Sequence, residues 1–221
     1  MRPVNKGNAP EVQFEKYQEA EPYLEERMGA FCSFCEFPIQ HIPEVEHKEA
    51  KAKGGAELEW DNLLLSCKYC NTRKGTVVKR GEKGKYLWPD EDDTFHAYSY
   101  KNGVPKLNEK YLKGQEPEIT EKARNTYQLV KLGNIPLSPR DRDRRFSKRS
   151  EAYNCAKESL AIWEMVKKTE YKKYYLNQTI KLAKAVGFFS VWMEVFSDYK
   201  EIQEKLVSAF EGTRAEYCLK K

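Results

Sequence analysis

The rhythm of apolar positions changes part-way along this chain. Residues 10–28 read as helical, with Pro22 suited to a first helical position and Gly29 to a C-terminal cap. Residues 39–47 read as extended, although Pro43 would not be tolerated in a central strand. Residues 48–59 form a polar loop carrying Gly54-Gly55, and Leu63-Leu64-Leu65 is a short apolar run. A short helix is expected from Asn71 onward. Residues 76–118 look irregular, except that the moderate alternation of 94–100 followed by Asn102-Gly103 predicts a β-hairpin closing near Leu107. From residue 119 the spacing becomes helical. One helix over 119–132 is capped by Gly133; a second is opened by Ser138-Pro139-Arg140-Asp141 and runs to about 168. A third covers 170–186 before Gly187, and the last covers 199–211 before Gly212. The fold class expected is α+β, with an N-terminal domain over 1–116 and an α-helical C-terminal domain over 117–221.

Composition narrows the class. The chain has 221 residues, 40% hydrophobic and 33% charged, with a mean hydropathy of −0.83. That is a soluble, heavily charged profile. No apolar run approaches the roughly 18–20 residues that span a bilayer, and the first residues lack a signal-peptide core. A cytoplasmic location is expected. The net charge of +5 makes a nucleic-acid partner more plausible without selecting one.

Four of the six cysteines form two CxxC pairs, Cys32-Ser33-Phe34-Cys35 and Cys67-Lys68-Tyr69-Cys70. In a reducing compartment such pairs are more often metal ligands than disulfides. Two short knuckles supply the four thiolates that a structural zinc takes, and the metal then contributes folding free energy to a loop-rich segment. Unligated buried thiols, a redox pair or an iron–sulfur cluster are the alternatives, and neither CxxC has the βαβ setting of a redox motif. Cys155, in an expected helix, reads as a small buried residue; Cys218 has no assigned role.

Between and after the knuckles lie the parts of a hydrolytic site. Phosphodiester hydrolysis needs an activated water and a cation against the phosphate. His47 is the candidate base, since neutral imidazole suits that task. Glu46 and Asn71 offer a carboxylate and an amide oxygen to a hard divalent cation such as Mg2+. Asn62 either orients His47 or holds its loop. Arg73 and Lys74 read as phosphate contacts or as solvated helix residues. His41 and His96 have no motif partners, and Trp60 reads as core.

The order acid–His, Asn-Leu, then CxxC-Asn-x-x-Lys-Gly resembles the HNH endonuclease family, over roughly residues 30–76. The resemblance implies a zinc-stabilised ββα-metal unit, with the acid–histidine pair on a strand and the last ligand on the helix. It implies that His47 is the general base, that Asn62 is the middle Asn, and that Glu46 and Asn71 bind the catalytic cation. Many relatives carry Asp in place of Glu46 and His in place of Asn71. The opening Met1-Arg2-Pro3-Val4-Asn5-Lys6-Gly7, with Gly187-Phe188-Phe189-Ser190-Val191-Trp192-Met193 and Phe210-Glu211-Gly212-Thr213, is similar to the PtuB-type subunits of Septu-type and retron-associated antiphage systems. That wider resemblance implies a PtuA-like ATPase of the ABC/SMC type as partner, with a reverse transcriptase and its RNA–DNA product in retron-associated forms. DNA is favoured over RNA such as tRNA as the target, and a non-catalytic zinc module is the rival reading.

The chain has no phosphate-binding GxxxxGK[ST] loop of its own; Gly81-Glu82-Lys83-Gly84-Lys85 lacks the spacing. Phe188, Phe189, Trp192 and Phe196 are expected mostly in the core, with a subset free to dock a partner. The run from Arg140 to Arg149 reads as a solvated, self-paired helix face or as a contact with nucleic-acid backbone.

Overall fold

The computed structural model describes residues 1–138 and 140–219. The N-terminal arm lies across the molecule before any regular element begins. Val4 bridges Thr213, and the Lys6 ammonium donates to the carbonyls of Trp60 and Leu63. Residues 10–16 are irregular rather than helical. A 3-10 turn, Tyr17–Ala20, leads into α1, Glu21–Met28, with Pro22 in its first turn and Gly29 as its cap at φ 71°. The arm there packs through Phe14 and Trp60 rather than winding.

The unit that carries both cysteine knuckles is small. Strand β1, Glu44–His47, starts just after Pro43 and pairs antiparallel with β2, Leu63–Ser66. The register sets Glu46 opposite Leu64 and His47 opposite Leu63. All of β2 is buried, which is why it reads as an unbroken apolar run rather than an alternating one. Helix α2, Lys68–Lys74, starts earlier than Asn71 because Cys67 serves as its N-cap, its sulfur accepting from the Cys70 amide.

The irregular stretch after α2 holds a short helix α3, Thr94–Ala97, then the expected hairpin. Its strands are β3, Tyr98–Ser99, and β4, Lys106–Leu107, with Tyr98 facing Leu107. Asn102 and Gly103 both take positive φ, 54° and 70°, as their turn signal requires. A single helical turn α4, Glu109–Leu112, precedes α5, Pro117–Leu129. The long helix α6, Arg145–Val166, opens well after Ser138; Pro139 lies outside the described residues. Helix α7, Lys172–Val186, ends at Gly187. Then come α8, Phe189–Val195, α9, Lys200–Ala209, and α10, Ala215–Cys218.

Two apolar clusters fill the interior. The first joins Leu24, Leu63, Leu65 and Trp88 to Ala123, Val130 and Ala152; the second joins Trp163, Leu176, Trp192 and Phe210. Phe188, Phe189, Trp192 and Phe196 are all fully buried, so none of them offers a docking subset. The first cysteine knuckle packs on the turn between α7 and α8. A side chain at Gly187 would strike Pro38 at 2.7 Å and the Glu36 carbonyl at 3.0 Å, and Glu36 accepts from both the amide and the hydroxyl of Ser190. No helix is long and apolar enough to cross a membrane among the described residues.

Candidate active site and metal centre

The four cysteines converge. Cys32 and Cys35 lie on the turn before β1, and the Ser33 amide donates to Leu65 in β2. Cys67 and Cys70 lie at the start of α2. The sulfurs of all four fall within 4.8 Å of one another and all four residues are buried. A tetrahedral zinc with bonds of about 2.3 Å sets its sulfurs roughly 3.8 Å apart; Cys35 and Cys67 stand at 3.6 Å. Burial pushes the Cys35 and Cys70 thiols well up, while hydrogen bonds from the other three sulfurs override burial and pull Cys32 well down. A divalent cation at the centre would favour the thiolate at all four. The donor set fits structural zinc.

His47 ends β1 and is 7% exposed. Its ring sits edge-on to Tyr17 at 4.7 Å. Nε2 lies 2.9 Å from the Glu57 carbonyl, which can only accept. Nε2 therefore carries the hydrogen, and Nδ1 keeps its lone pair. Burial first, then the Lys51 and Lys74 ammonium groups, lower its pKa below 6.5 against the pull of Glu57. That direction favours the neutral ring, the form a general base requires.

Asn62 holds the loop rather than the imidazole. Its Oδ1 accepts from the Glu49 amide at 2.8 Å, and its Nδ2 donates to the carbonyls of Glu49 at 3.0 Å and Ala56 at 2.7 Å. Those bonds close the 48–59 loop, and that loop brings the Glu57 carbonyl to His47.

Strand alternation sends Glu44 and Glu46 to one face of β1 and His47 to the other. Glu46 lies against α2, where Lys74 Nζ meets its Oε1 at 2.7 Å. Burial raises the Glu46 pKa to about 7 despite the Lys74 charge. Asn71 Nδ2 donates to Glu44 Oε2 at 2.7 Å. Glu46 and Asn71 are thus not joined directly, but each keeps one oxygen, Oε2 and Oδ1, without a protein donor among the described residues. One carboxylate and one amide oxygen fit a cation that retains most of its waters.

Two expectations require correction. Lys74 is no phosphate contact: it is wholly buried, one turn from Asn71 and Cys70 on the inner face of α2, and its charge is spent on Glu46. Arg73, on the outer face, is exposed. The run from Arg140 to Arg149 is neither a solvated face nor a nucleic-acid stripe throughout, because Asp143, Arg145 and Arg149 are buried. Arg145 Nη1 reaches Cys70 Sγ at 3.2 Å.

A further buried network escaped the sequence pattern. Asp90 Oδ2 takes the ammonium groups of both Lys6 and Lys48 at 2.8 Å, and Lys48 directly follows His47. Three lysine–acid residues so far apart in sequence leave no local signal.

Comparison with known families bears on one segment of the chain. Residues 32–76 match the family described as HNH endonuclease. The HNH segment contains both cysteine knuckles, β1, β2 and α2, and every candidate site residue named above from Cys32 to Lys74. It carries a four-cysteine zinc-type centre and points to a metal-dependent nuclease. No curated protein and no solved structure matches the chain.

Proposed function

We propose that the protein is a metal-dependent HNH endonuclease that hydrolyses phosphodiester bonds. The observation that carries this reading is the held tautomer of His47 within a segment of HNH type. The Glu57 carbonyl fixes Nε2–H, so Nδ1 accepts a proton from a water as that water's oxygen bonds to phosphorus. The P–O bond to the departing nucleotide breaks, and its electron pair leaves on that oxygen. Glu46 and Asn71 would hold the divalent cation, which supplies charge neutralisation at the phosphate and the departing oxygen. Lys74 keeps Glu46 in place, and the cysteine centre fixes α2 against the knuckle turn. Exposed Arg73 supplies a phosphate contact.

The proposed setting is an antiphage complex acting on DNA. Its support is the likeness of the flanking segments to PtuB-type subunits, and ATP-dependent control by a PtuA-like partner is part of the same proposal. The substrate class is tested by incubating the chain with duplex DNA, single-stranded DNA and tRNA in the presence and absence of Mg2+. Magnesium-dependent scission of DNA supports the reading. Scission of tRNA alone transfers it to RNA, and binding of all three without cleavage returns the segment to a non-catalytic module.

A further inference from the structure

Arg145 lies far outside the HNH segment, yet it is built into the cysteine centre. Its side chain is 1% exposed. Nε and Nη2 meet the two oxygens of Asp143 at 2.9 and 2.7 Å. Nη1 donates to the Val130 carbonyl at 2.9 Å and Nη2 to the Lys131 carbonyl at 3.1 Å. Nη1 also reaches Cys70 Sγ at 3.2 Å. Asp143 is itself held by the Asn134 amide at 3.0 Å. Asp143 occupies one edge of the fork and so aims the remaining donor at the sulfur.

The chemistry of the centre explains why such a donor belongs there. Four thiolates around one zinc leave two net negative charges in a buried site, and buried charge is costly unless hydrogen-bonded or paired. An N–H···S bond from a cation draws electron density from the sulfur, makes it a poorer nucleophile and strengthens retention of the metal. Among the described residues, Arg145 is the side chain outside the four cysteines that donates to one of these sulfurs. It also satisfies the two carbonyls at the end of α5, where Lys131 takes a positive φ of 45°. The same guanidinium therefore joins the metal site to the end of α5 and the start of α6.

We propose that Arg145 is a positioning residue of the zinc centre: it donates to the Cys70 thiolate, slows loss of the metal, and ties the α5–α6 connection to metal occupancy. The proposal rests on the four cysteines holding zinc and is independent of nuclease activity.

The test uses the whole chain. Zinc transfer to a chromogenic chelator and alkylation of cysteine by iodoacetamide are timed for the wild type, Arg145→Gln and Arg145→Lys. Arg145→Gln is expected to speed both by about tenfold or more, with Arg145→Lys between it and the wild type. Stripping zinc from the wild type is expected to open residues 130–145 to trypsin. Unchanged rates in a folded, zinc-loaded Arg145→Gln overturn the proposal, and an unchanged tryptic pattern overturns its second half. If Arg145→Gln does not fold, the wild type loaded with 113Cd decides: a guanidinium proton correlating with the metal is expected, and its absence in the loaded protein overturns the proposal. A wild type that binds neither zinc nor cadmium overturns the four-cysteine reading and the proposal with it.

Discussion

Lys74 Nζ stands 2.7 Å from Glu46 Oε1, with the Lys74 side chain wholly buried and that of Glu46 6% exposed. Lys74, read with Arg73 as a phosphate contact or a solvated helix residue, is instead the internal counter-charge of a candidate metal ligand. Removing one member of a buried pair strands the other. Lys74→Met is therefore expected to cost about 3 kcal/mol of stability, read from urea unfolding at neutral pH. A change of only a few tenths would show that the pair does not hold the strand to α2.

Asn62 joins a loop to a histidine that it does not touch. Asn62→Ala deletes three hydrogen bonds and leaves the Glu49 amide without its acceptor. The expected cost is about 2 kcal/mol, with faster hydrogen exchange at the Glu49 amide. Cleavage should fall as well, because the Glu57 carbonyl no longer fixes the His47 tautomer. Preserved exchange protection would separate Asn62 from the loop.

Asp90 anchors the residue after His47. Burial opposes its ionisation, but Lys6 and Lys48 outweigh burial and hold its pKa below 3.8. A depressed carboxyl stabilises the fold above its unfolded pKa, and that contribution is lost as pH falls through the folded value. Asp90→Asn is expected to lose about 3 kcal/mol at pH 7. The gap to the wild type should narrow below pH 3.8. A gap constant from pH 7 to pH 3 would contradict the assignment.

Arg73 is exposed and makes no ion pair among the described residues. Arg73→Ala is expected to change stability by less than about 0.5 kcal/mol. It should reduce the slope of log affinity against log salt for nucleic acid by about 1. An unaltered slope would place the phosphate path elsewhere.

The sequence is most legible where the chemistry is local. CxxC spacing marks each knuckle because one turn sets both sulfurs, and the four cysteines do converge; Glu46, His47 and Asn71 are candidates read from their order alone. Asn102-Gly103 marked its hairpin for the same reason. What escaped depends on contacts distant in the chain. Residues 10–16 carry helix-compatible residues, but Phe14 packs on Trp60 and the arm before them is held by Lys6 at the carbonyls of Trp60 and of Leu63, the first residue of β2. Lys74 and Arg73 are neighbours in a charged run, and only the packing of α2 on β1 decides which is buried. Arg145 sits in a string of alternating charges that looks solvated; its partner is a cysteine from the other half of the chain. Helix α8 was hidden because Phe188, Phe189, Trp192 and Phe196 are buried on all sides, leaving no amphipathic period to read.

The central claim is that His47 is the base of a metal-dependent nuclease, and His47→Ala tests it most directly. Cleavage is followed with Mg2+ present, beside zinc content and thermal unfolding of the same preparation. The expected result is a loss of about a hundredfold or more in rate with zinc content unchanged and the protein still cooperatively folded, its melting lowered only by the lost Tyr17 and Glu57 contacts. Undiminished cleavage by a folded, zinc-loaded His47→Ala would contradict the account.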